Sequence, residues 1–181
     1  MKFFKLSVTA LLALTISIAA SAGEKAFTAD EAYKKMLTLE GTWEGESLVV
    51  PIGKTKEEGT KSESTITYEV IANGSSLMLT YLKGTPMEMV SMYHQDGPEV
   101  LIHTHYCAAG NQPSMKFTPS KEPGKIDFKF DKGTNMDVTK DGHAHSGYMI
   151  IIDEDNFETK SEGWNNGKLA NHRYTKMTRK K

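Results

Sequence analysis

The chain has 181 residues, 22 Lys and Arg against 23 Asp and Glu, six His and a single Cys, with a formal net charge of −1. A slightly acidic balance without a basic stripe gives no footing for nucleic acid. One cysteine rules out an internal disulfide.

Residues 1–22 read as a secretory signal peptide. Lys2 and Lys5 form a basic start, an apolar run follows, and Ala20-Ser21-Ala22 is an A-x-A cleavage site before Gly23. The run is short for a membrane span, and no cysteine near the cleavage point offers a lipid anchor. The expected destination is periplasmic or secreted, with no membrane span left after cleavage. Residues 23–181 suit one domain with a core that needs no disulfide.

Thr28-Ala29-Asp30-Glu31 is a capping box, predicting a short helix from Ala29 to about Met36 with Ala32, Tyr33 and Met36 on one face. Gly41-Thr42-Trp43-Glu44-Gly45 opens the sheet-forming part, with glycines that let the chain bend closely around a large apolar residue. A strand then runs to about Val50, and residues 54–59 form a charged connection.

From there strands and turns repeat. Strands are expected at residues 62–71, 77–82, 87–94, 100–107, 115–118, 125–130, 143–152, 157–164 and 169–177. Asn73-Gly74, Lys83-Gly84, Asp96-Gly97 and Asn166-Gly167 supply turns between them. About ten strands joined by short turns, with one short helix in front, predict an all-β antiparallel up-and-down barrel rather than an open sandwich. The tail, with Lys176, Arg179, Lys180 and Lys181, reads as a solvated end.

Residues 101–115, LIHTHYCAAGNQPSM, carry the chemistry. His103, His105 and Cys107 fall at every second position, so in a strand they share one face. His143 and His145 repeat the spacing. Imidazole and thiolate suit zinc or copper, so His103, His105, Cys107, His143 and His145 form a candidate metal set if the two strands meet. The other reading makes the four histidines the polar lining of a ligand site. Alternation leaves open which face of residues 101–107 is interior, because Ile102, Thr104 and Tyr106 suit a core as well.

Asn111 and Gln112 bring amides to the loop beyond His105, and Pro113 stiffens it. They are candidate ligand-binding groups at the mouth of an apolar cavity. A thiol nucleophile is a further reading, with Cys107 activated by a cross-strand histidine, but no carboxylate is evidently placed to orient the base. No residue is singled out as catalytic. Met78, Met87, Met89, Met92 and Met115 read as core packing. Trp43 and Trp164 read as core or barrel-end residues.

The opening Gly41-x-Trp43-x-Gly45 resembles the start of calycin-type barrels: lipocalins, fatty-acid-binding proteins and the haem-binding nitrobindins. The stretch Thr104-His105-Tyr106-Cys107-Ala108-Ala109-Gly110-Asn111-Gln112-Pro113, followed by His143-x-His145-Ser146, resembles a family of small secreted bacterial calycin-like (lipocalin-like) proteins without an established activity. The nitrobindin likeness implies haem ligation by a histidine near the C-terminus, for which His172 is the candidate. No further motif surrounds it, and a solvated strand histidine is the expected reading.

Together these expectations describe an exported calycin-like barrel that binds a small, partly apolar ligand. His103, His105, His143 and His145 would line its polar site, with Asn111 and Gln112 at the edge. The rival readings are a metal-dependent or thiol enzyme on the same scaffold, and a filled barrel acting as an interaction module.

Overall fold

The computed structural model describes residues 26–181, so the leader expected at residues 1–22 lies outside the described residues. A helix, α1 (Ala29–Leu37), precedes ten strands: β1 (Gly41–Pro51), β2 (Thr60–Ile71), β3 (Ser76–Tyr81), β4 (Met89–Gln95), β5 (Leu101–Tyr106), β6 (Gln112–Pro119), β7 (Lys125–Thr134), β8 (His143–Ile151), β9 (Asn156–Asn165) and β10 (Lys168–Arg179). Each strand pairs antiparallel with the next, and β10 closes on β1. This is the up-and-down barrel that the strand spacing predicts. No helix among the described residues is long and apolar enough to cross a membrane.

The capping box forms as read. Glu31 donates its backbone N–H to Thr28 Oγ1 at 3.2 Å, and its carboxylate accepts from the Thr28 N–H at 2.8 Å. The helix buries Ala32, Tyr33 and Met36. It lies across the ends of β4, β5 and β6 and closes one end of the barrel. The Tyr33 hydroxyl donates to the Gly74 carbonyl at 3.0 Å, tying the helix to the β2–β3 turn.

Beneath α1 the barrel is filled. Trp43, Leu77, Leu101 and Ile126 have no exposed surface. Trp43 meets Phe157 edge to face at 4.7 Å and donates its Nε1–H to the Leu39 carbonyl at 2.7 Å. Arg179 completes this end, and so departs from the solvated tail expected of it. Its guanidinium lies 4.2 Å over the Trp43 ring and donates to the carbonyls of Glu40 at 2.6 Å and Thr38 at 2.9 Å. The charge thereby binds the helix C-terminus to the last strand.

Gly45 shows why the opening motif needs glycine at its second position. A Cβ there would stand 1.9 Å from the Lys176 carbonyl oxygen on β10. The first and last strands can close at this bend because the side chain is missing.

Two expectations shift. Gln112 and Pro113 begin β6 instead of lying in a loop. The β5–β6 ladder stops at Thr104↔Ser114, so Pro113 has no N–H to supply on that side. Met87, read as core, precedes β4 and is 57% exposed.

Candidate functional site

The register decides which face of β5 is interior. His103 pairs with Tyr93 and His105 with Ser91, and Ser91 in turn pairs with Leu79 of the core. His103 and His105 therefore point into the barrel, while Ile102, Thr104 and Tyr106 point out, Tyr106 being 47% exposed. Outward apolar side chains on this strand had made the two faces look alike.

Both inner histidines sit among rings and hydroxyls. His105 Nδ1 is 2.9 Å from Ser91 Oγ, and the ring meets Tyr81 edge to face at 5.8 Å. His103 stacks on Tyr93 at 4.3 Å and meets Phe128 edge to face at 5.5 Å. Burial lowers both: His105 to about 4, and His103, with a smaller push from His105, to about 3. Each imidazole is neutral at pH 7. His103 Nε2 is buried with no hydrogen-bond partner, a state worth about 1–3 kcal/mol until a partner arrives.

Facing them across the lumen is a residue that sequence reading passed over. Arg173 on β10 donates from Nη1 to the hydroxyl of Ser47 on β1 at 2.9 Å. Its charge also acts on the Tyr81 hydroxyl, whose pKa burial raises and which Ser91, Arg173 and Tyr93 pull back down. β1 and β2 separate β10 from β3 along the wall. The charge of Arg173 therefore reaches Tyr81 across the interior and not along the wall. An arginine inside a strand reads as solvent-facing by composition, and the register alone reveals it.

The open end of the barrel is lined unevenly. On β1, β2, β9 and β10 the inward positions are small: Gly45, Ser47, Ser64, Ser161, Gly163 and Thr175. On β3 to β7 they are rings, among them Tyr81, Tyr93, His103, His105 and Phe128. Ten strands enclose a wider lumen than the eight that side chains just fill, and the residues along one wall are small. Inward-facing Tyr81, His103, His105, Ser64 and Thr175 accordingly keep part of their surface, and Arg173 is exposed. The end opposite α1 is thus less tightly closed than the end beneath the helix, with polar groups at its rim and rings along one side.

The second histidine pair is elsewhere. β7 and β8 pair only from Lys125↔Ile150 to Phe128↔Gly147, and β8 is irregular between Ala144 and Ser146. Beyond Phe128 and Gly147 the strands part, and aromatic rings occupy the gap. His145 lies flat between Phe130 at 4.5 Å and Trp164 at 3.9 Å. Trp164, expected as a core or barrel-end residue, lies near the end of β9 and stacks on His145. His143 Nδ1 is 2.9 Å from the Asp141 carbonyl, and His143 Nε2 is 3.1 Å from His145 Nδ1. A carbonyl only accepts, so His143 Nδ1 carries the proton. In the neutral pair His145 Nδ1 then donates to His143, and His145 Nε2 keeps its lone pair. Burial first, then His143, lower the pKa of His145, with Glu162 opposing.

The two pairs are not gathered into one site. His103 packs on Phe128, and His143 and His145 pack on Phe130, two positions along β7. Cys107 follows the end of β5 and places Sγ 4.0 Å from Met89 Sδ. Among the described residues no group of three or more His, Cys, Asp or Glu is placed to hold a metal ion. The candidate set His103, His105, Cys107, His143 and His145 is thus divided.

Asn111 and Gln112 are already committed locally. Asn111 Nδ2 donates to the Gly142 carbonyl at 2.9 Å, fastening the β5–β6 loop beside His143. Gln112 Nε2 donates to Gly110 O at 2.7 Å, and its Oε1 accepts from Thr134 at 2.9 Å. The haem ligation considered for His172 does not fit. His172 pairs with Val50 and Glu162, on the opposite face from Arg173, so it turns away from the lumen. Nor is it fully solvated: its Nδ1 is buried without a partner.

No protein-family model matches the chain, and no curated protein matches it significantly. Solved structures do. A protein of unknown function from the DUF3598 family of Nostoc punctiforme matches with a TM-score of 0.57 at 14% identity, covering 80% of this chain and 49% of that one. The chain thus spans about half the length of that neighbour. Rv2717c from M. tuberculosis matches with a TM-score of 0.59 at 13% identity, covering 83% of this chain and 98% of that one. At such identities the likeness is one of fold, and the fold is the closed β-barrel.

Proposed function

We propose that this chain is an exported, calycin-like barrel that binds a small, partly apolar molecule in the chamber opposite α1. The reading rests on one observation above others. Inward-facing polar side chains at that end, Tyr81, His103, His105 and Arg173, keep exposed surface while the end beneath α1 is packed solid. A barrel built only to be filled would close both ends alike. Apolar walls with a few convergent polar groups suit a small-molecule site. His103 and His105 supply neutral donors and acceptors, and Tyr81, Ser91 and Ser47 supply hydroxyls. The second pair, His143 and His145, with Asn111 and Gln112, shapes the rim of the same open end. The reading of residues 1–22 as a cleaved leader supports export to the periplasm or beyond.

Filling the chamber tests the reading. Ser64 and Thr175 are small, inward-facing and half-buried. Ser64→Phe and Thr175→Phe should fold normally and lose ligands that wild type binds in a ligand-observed NMR screen of small molecules. Ligands that bind the filled variants as well as wild type, or none binding wild type, would refute it.

A further inference from the structure

We propose that the outer face of β3, β4 and β5 is the contact surface of a homodimer whose two-fold axis runs along β4.

Outward positions on a barrel wall meet water, and most strands here carry charge on them: Glu44 and Glu46 on β1, Lys129 on β7, Lys160 on β9. From β3, β4 and β5 no Lys, Arg, Asp or Glu points outward. No other three neighbouring strands among the described residues are so bare. Met78 pairs with Met92, Val90 pairs with Tyr106, and Ile102 takes the next outward position of β5 toward α1. Met78 and Met92, expected in the core, face outward because Leu77, Leu79, Ser91 and Tyr93 hold the inner positions. Tyr106 is exposed, as are Leu82 and Met87 in the connection between β3 and β4. An apolar stretch this broad on one wall marks a protein contact surface. Met and Tyr are residues that such surfaces favour.

The charges at its two edges name the partner. On the β2 side Glu69 pairs with Met78, and its carboxylate is 3.9 Å from Lys83, which follows β3 toward the open end. On the β6 side Lys116 pairs with Ile102, and its ammonium is 3.2 Å from Asp131, which lies nearer the open end. The acid is thus nearer α1 at one edge, and the base is nearer α1 at the other. A two-fold rotation about β4 lays the β2 edge of one copy over the β6 edge of the second at unchanged height. Glu69 then meets the partner's Lys116, Lys83 meets the partner's Asp131, and Met92 meets its own counterpart at the axis. A foreign protein would impose no such mirrored order. Five strands about 4.8 Å apart make the face about 19 Å wide. That is the small end of specific interfaces, so dissociation in the micromolar range is expected.

Sedimentation equilibrium of the purified protein tests this, with thermal melts confirming that each variant folds. Wild type should form dimers that dissociate in the micromolar range. Met92→Lys sets like charges against each other at the axis and should weaken association about tenfold or more. Glu69→Lys and Lys116→Glu should each weaken it similarly. An equal mixture of those two variants should restore it, because the mixed dimer sets opposite charges together at both edges. Glu158→Lys, on β9 directly across the barrel from β4, should change nothing. A wild type that stays monomeric at about millimolar concentration would overturn the proposal. So would dimers that Met92→Lys leaves intact, or that Glu158→Lys weakens as strongly. A mixture no better associated than either variant alone would overturn the two-fold arrangement.

Discussion

Ser91 and His105 stand opposite each other on neighbouring strands, with Oγ and Nδ1 2.9 Å apart. The contact holds a neutral imidazole in the lumen, and His103 is held neutral beside it. Their pKa values, about 4 and about 3, lie below the ordinary 6.5. The unfolded chain therefore binds more protons than the folded one below pH 6.5. Stability should fall as the pH drops from 6.5 toward 4, by on the order of 1.4 kcal/mol per group for each pH unit. Urea unfolding at pH 7.5 and 5.0 measures the drop, and His105→Gln should lessen it. A midpoint unchanged between those values would contradict neutral, buried rings.

Arg179 joins the helix end to the last strand through carbonyls of Thr38 and Glu40 and the face of Trp43. Arg179→Met keeps bulk and loses the donors. It should cost about 2 kcal/mol in urea unfolding, whereas Thr178→Ala next to it should cost far less. A loss for Arg179→Met no larger than that of the control would show the tail to be merely solvated.

Gly45 faces the backbone of β10 at a distance that admits no side chain. Gly45→Ala should destabilise the barrel by about 3 kcal/mol, the upper range for overpacking. Gly53→Ala makes the comparison, since a Cβ there meets nothing within 4 Å and only its positive φ opposes the change. The first variant should melt well below the second. The reverse order would contradict the close approach of the first and last strands.

His145 lies 3.9 Å from the Trp164 ring. A protonated imidazole at that distance quenches indole emission, so Trp fluorescence should fall as pH drops. The midpoint should lie below 6.5, because burial and His143 both oppose the charge. His145→Phe should abolish the titration. A midpoint above 6.5 would mean that Glu162 outweighs burial.

The fold was largely legible because turn chemistry marks nearly every strand end. Asn166-Gly167, Asp96-Gly97 and the Thr28 capping box each stand where the chain says. The site was legible only in part. His103 and His105 were named on spacing, but their inward direction came from the partners Tyr93 and Ser91, which periodicity cannot supply. The expected meeting of the two histidine pairs depended on their strands lying near each other, and β6 and β7 stand between β5 and β8. Arg173 and Arg179 were missed for the same reason. A charge in a strand is read as solvated until cross-strand register puts it in the lumen or on a helix end.

We place a small ligand in the barrel end opposite α1. Native mass spectrometry on the chain purified without denaturation measures this most directly. Wild type should carry an added small-molecule mass that is shed on denaturation and absent from Thr175→Phe. An identical bare mass for both proteins, from material never exposed to denaturant, would contradict it.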